Sequence, residues 1–195
     1  MNHSGHDLSL FSKGYYGTSN YLLPKMKNLL FIFIGLFMNS VHSQDITIPT
    51  FLEKWDNSKT YLVALAEAMP HEKFDFRPTE RQMGFQDQLL HIKSNMEWLG
   101  STYFGGQKQD KTKPNTSKLT KEETIKSLIE GFDEVSTILK NTPSSALLEK
   151  VEFFAGKKTK LQILNLLQDH VTHHRGQLIV YLNLNNIEPP KYVGW

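Results

Sequence analysis

Residues 159 to 186 read TKLQILNLLQDHVTHHRGQLIVYLNLNN, and the fold class follows from how this stretch is patterned. Thr159 and Gln162 have the spacing of a capping box, in which two side chains satisfy the first free amides of a helix. Ile163, Leu167, Leu178 and Tyr181 fall within about 40 degrees of His174 on a helical wheel, a stripe built to be buried. A helix is expected from there to about Asn185, with Asn186 as a left-handed cap and Pro189 and Pro190 preventing continuation.

Three more stripes of the same period lie upstream. From Pro49 to Met69 the apolar positions are Phe51, Trp55, Leu62, Leu65, Ala66 and Met69, with Pro49 suited to a first turn and Pro70 ending the helix. Residues 71 to 83, with Pro78, read as a connector. Phe85, Leu89, Ile92, Met96, Leu99 and Tyr103 mark a second helix to about Phe104, closed by Gly105 and Gly106. Residues 107 to 118, QKQDKTKPNTSK, read as an exposed loop. Thr120 and Glu123 form another capping box, and Ile125, Leu128, Ile129, Phe132, Val135 and Leu139 carry a third helix to about Lys140. One short extended piece is expected around Val151 to Phe154, without clear strand pairing. The expectation is an all-α, single-domain four-helix bundle over residues 48 to 195.

Ahead of the bundle, residues 26 to 45 read MKNLLFIFIGLFMNSVHSQD: a basic start, an apolar run from Leu29 to Met38, then small and polar residues. The run is too short to span a bilayer core of about 30 Å, but it suits a secretory signal peptide over residues 26 to 43. Val41 and Ser43 then precede a cleavage near Gln44. The competing reading, a buried core helix, is disfavoured by those flanks. Residues 1 to 25 are expected to be a non-structural extension or to lie upstream of the true start at Met26. The expected location is periplasmic or extracellular, with no stable membrane span after cleavage.

The 195 residues contain no cysteine, which removes disulfides, thiolate metal sites and cysteine nucleophiles together. The net charge of +2 comes from the front, where Lys13, Lys25 and Lys27 face Asp7 alone, leaving 19 basic and 19 acidic side chains after residue 43. A neutral domain lacks the cationic footprint on which nucleic-acid affinity depends, so no nucleic-acid partner is expected.

After residue 43 the histidines are His71, His91, His170, His173 and His174. His170 and His174 lie one turn apart on the buried stripe, about 40 degrees from each other, while His173 falls about 100 degrees to the side. Two imidazoles on an apolar face need partners, because each unsatisfied buried polar group costs about 1 to 3 kcal/mol. A metal ion would satisfy both, and i, i+4 histidines suit that geometry. Hydrogen bonds to carboxylates such as Asp169 or Glu97 would serve as well, and spacing does not separate the two. His91 lies on the flank of its helix beside Asn95 and Trp98, where periodicity neither demands nor forbids inward pointing. The H-E-x-x-H protease signature is absent, since Val171 stands where its glutamate would be.

DHVTHHRGQ at 169 to 177, the following LIVYLNLNNIEPP, the final Trp195, FDFRP at 74 to 78 and QLLHI at 88 to 92 together resemble the DinB-like family of four-helix bundles, which is distinct from the lesion-bypass polymerase sharing the label. The resemblance spans about residues 48 to 195. It implies that a histidine of the second helix and an H-x-x-x-H pair of the fourth bind a divalent metal, which carries over to His91, His170 and His174. Zinc or nickel is the expected ion, with iron and manganese as other choices. Three protein nitrogens leave a coordination position open, the pattern of catalytic metal sites. Related thiol-dependent transferases point to a metal-dependent hydrolase or transferase of a small-molecule substrate, although export places the chain away from mainly cytosolic thiols. Asp169 and Glu97 are the candidates for proton transfer. The alternative is a non-catalytic exported metal- or ligand-binding bundle. The resemblance also implies a homodimer, and Gly176, on the far side of its helix, leaves room for a close neighbour.

Overall fold

The computed structural model describes residues 46–107 and 119–194, all within one compact unit, Ser43–Trp195. The expected extension, signal segment and most of the loop at 107 to 118 lie outside the described residues. Four helices form the unit: α1 (Thr47–Ala68), α2 (Phe85–Tyr103), α3 (Lys121–Lys140) and α4 (Lys160–Leu184).

Helix α1 starts two residues before Pro49, which then sits in the first turn, where a missing amide hydrogen costs nothing. It stops because Met69, preceding Pro70, is forced into an extended conformation (ψ 122°). In α2 the Asp87 carboxylate accepts a hydrogen bond from the Gly84 amide at 3.2 Å. Both expected capping boxes form. The Thr120 hydroxyl accepts from the Glu123 amide while Glu123 accepts from the Thr120 amide, and Thr159 and Gln162 reciprocate in the same way. Asn186 takes the left-handed conformation (φ 57°) that closes α4.

The stripes meet in one core containing Trp55, Leu62, Leu89, Ile92, Phe132, Val135, Leu167 and Tyr181, all at most 1% exposed. Trp55 lies against Phe132 (ring centroids 4.6 Å apart), and its indole N–H donates to the Phe132 carbonyl at 3.3 Å. Helices α2 and α3 approach closely because Gly100 and Gly131 face each other's helix. A Cβ at Gly100 would stand 2.9 Å from Val135 Cγ2.

Helices α1 and α2 each pack against both α3 and α4, so α1 and α2 share one diagonal, α3 and α4 the other, and the order around the bundle is α1, α3, α2, α4. The α1–α2 connector therefore crosses the end of the bundle, and Phe74, 4% exposed, plugs it there. This arrangement sets α2 beside α4.

The extended piece differs from expectation. Two residues, Lys150–Val151 (β1), pair antiparallel with Lys158–Thr159 (β2), directly before α4. Phe153 and Phe154 leave the strand because their rings stack on Trp98, with centroids 6.0 and 6.5 Å away.

Candidate metal centre

Where α2 runs beside α4, three imidazoles converge. Ring centroids are 4.9 Å apart for His91 and His170, 4.7 Å for His91 and His174, and 4.5 Å for His170 and His174. One ligating nitrogen from each ring lies within 4.8 Å of the others. The flank position of His91 turns out to be the face of α2 that meets α4. His174 is buried at 8% exposure, while His91 and His170 are half-buried.

The hydrogen bonds assign the His174 ring. Its Nδ1 lies 2.5 Å from Gln88 Oε1 and 2.9 Å from Gln177 Oε1, two atoms that only accept, so Nδ1 carries the proton and Nε2 keeps its lone pair. Gln88 in turn donates through Nε2 to the Tyr181 hydroxyl (3.3 Å), which donates to the Met83 carbonyl (2.9 Å). This buried chain fixes one tautomer and one orientation, as amide and carbonyl partners of metal-ligating histidines commonly do.

His91 Nε2 and His170 Nε2 are 3.1 Å apart. Two nitrogens each about 2.0 to 2.1 Å from a shared ion would stand at a similar separation. His170 Nδ1 is buried and has no hydrogen-bond partner among the described residues. Burial holds His170 well below the ordinary histidine range, to about 3, helped by the charges of His174, His91 and His173. Burial likewise lowers His174 to about 4 against the opposing hydrogen bond to Gln177, and lowers His91. Uncharged imidazole is the form that ligates. The donor set, the fixed tautomer and the spacing therefore fit a divalent ion.

The carboxylate alternative does not hold. Glu97 pairs with Lys93 (2.6 Å), and Asp169 is exposed, with neither bonded to a histidine of the cluster. His173 stays outside the cluster with Nε2 near Gln177, and His71 is exposed in the connector. Gln88 and Gln177 went unnoticed in the sequence. Gln177 carries a signal, its place three residues after His174 on the same helix, while Gln88 reaches His174 from α2 and carries none. Tyr181 was read only as a stripe residue, although a buried phenol needs a hydrogen-bond partner.

Fold and site together define a four-helix bundle carrying a three-histidine candidate metal centre between its second and fourth helices. A family model described as the DinB family matches residues 38–192, and the chain belongs to that family. Uncharacterized protein YjoA of Bacillus subtilis (strain 168) is 25% identical over 138 residues, covering 66% of this chain and 84% of that protein. The crystal structure of the DinB-like protein YjoA from Bacillus subtilis superposes with a TM-score of 0.61 at 20% identity, covering 73% of this chain and 97% of that one. A DinB-like protein from Bacillus cereus ATCC 10987 gives a TM-score of 0.64 at 16% identity, covering 73% and 95%. These two likenesses show the fold.

Proposed function

We propose that this chain is an exported protein that binds one divalent metal ion through His91, His170 and His174 and uses it as a metal-dependent hydrolase or transferase of a small molecule. The observation that carries the reading is the convergence of three uncharged imidazoles from two helices, with His174 Nδ1 tied to amide oxygens and its Nε2 left for a cation. Zinc and nickel suit an all-imidazole set, with iron and manganese as weaker choices. A bound ion would supply Lewis acidity to an oxygen or sulfur of the substrate. The chain's own part is to hold that ion with three nitrogens, to keep His174 in one tautomer through Gln88 and Gln177, and to present His91 to an adjoining cavity.

Export is supported by the signal-like run after Met26. It favours a hydrolase over a thiol-dependent transferase, since small thiols are mainly cytosolic. Among the described residues no helix is long and apolar enough to cross a membrane. A homodimer is supported by the outer face of α4, where Gly176 has open space around it and Val180 and Leu184 are 52% and 56% exposed. One observation favours a second reading, a non-catalytic metal- or ligand-binding bundle: among the described residues no carboxylate is bonded to the three histidines to move a proton.

Elemental analysis and mass spectrometry of the chain expressed from Met26, beside a variant with His91, His170 and His174 all replaced by alanine, test the proposal. A mature start near Gln44 and about one metal per chain, lost in the variant, are expected. An uncleaved chain removes export, and no metal after reconstitution removes the metal centre. Turnover undiminished in the variant leaves the non-catalytic reading of the ion.

A further inference from the structure

His91 also faces outward, onto a cavity of about 460 Å3 whose walls include Arg77, Arg81 and Met83 of the connector and Asp87 and Leu90 of α2. That volume suits a small organic molecule. The connector is pinned on this side: the Phe85 amide donates to the Phe76 carbonyl, the Gln86 amide to the Phe74 carbonyl, and the Tyr181 hydroxyl to Met83.

Its charges are unevenly engaged. Arg77 is held to Asp87 at 3.4 Å, and the same carboxylate oxygen accepts from the Gly84 amide. Arg81 forms no ion pair among the described residues. Each guanidinium has five N–H donors in a planar fork that matches a carboxylate. Glu80, exposed on the same wall, opposes a polyanion. Met83, 42% exposed, and half-buried Leu90 add an apolar stretch on the wall that also carries His91.

We infer that this cavity takes a monocarboxylate with a short apolar body, its carboxylate read by Arg81 beside Arg77 and its other end directed to His91. The assignment rests on the metal-centre reading only for what that other end meets.

The test is an amide NMR titration with hexanoate and with uncharged hexanamide, on the chain stripped by chelator and again after zinc loading. Hexanoate is expected to shift amides between residues 77 and 91 in both states. Hexanamide should bind about tenfold more weakly, the difference one charge-assisted pair makes. Arg81→Gln, at an exposed position, should bring hexanoate down to the hexanamide level. Equal binding of the two probes, or hexanoate binding indifferent to Arg81→Gln, overturns the inference. Binding of hexanoate only with zinc and without need of Arg81 places the anion on the ion, overturning the inference and leaving the metal centre intact. Arg81-dependent binding in a chain that takes up no zinc supports the carboxylate site and contradicts the metal centre.

Discussion

His174 has both ring nitrogens constrained, one by the Gln88 and Gln177 oxygens and the other by the cluster it faces. Gln88 matters most because it is 3% exposed and links the ring to Tyr181 and Met83. Replacing such a partner typically weakens a metal site about 10- to 100-fold. Gln88→Leu should lower zinc affinity by that amount in competition with a chromophoric chelator, while His173→Ala, outside the cluster, should leave it nearly unchanged. A full-affinity Gln88→Leu variant would show that the hydrogen bond does not orient the ligand. Of the site, His170 and His174 were visible as an i, i+4 pair on an apolar face. His91 came only through resemblance, because a flank position does not reveal which neighbour it meets. Gln88 is not legible because its role depends on an acceptor on one helix reaching a ring on another, whereas Gln177 lies three residues after His174 on the same helix.

At the scale of elements, the start of α3 and α4 and the end of α1 were legible to within a residue or two, because caps and prolines act locally. The two-residue hairpin was not, since its strand is cut short by the stacking of Phe153 and Phe154 on Trp98, a contact between distant residues. Nor did periodicity give the order of helices around the bundle, which places α2 against α4 and so creates the site. The tight α2–α3 contact depends on Gly100, where an added Cβ meets Val135 at 2.9 Å. Gly100→Val should destabilise the chain by about 1 to 3 kcal/mol in urea unfolding, the usual cost of overpacking. Unchanged stability would mean that the two helices separate freely.

For the whole molecule, the absence of cysteine removes thiolate ligands, and the bundle supplies nitrogen ligands from two helices. If the outer face of α4 joins two copies, light scattering should give twice the chain mass, and Val180→Glu, introducing a charge beside Gly176, should halve it; a monomeric parent would contradict that assembly. The central claim concerns the interior of the bundle, and anomalous diffraction from crystals loaded with zinc tests it most directly. The account predicts one strong peak between α2 and α4 within ligand distance of His91, His170 and His174, with a coordination position not filled by protein. A peak elsewhere, or none at this cluster, would contradict it.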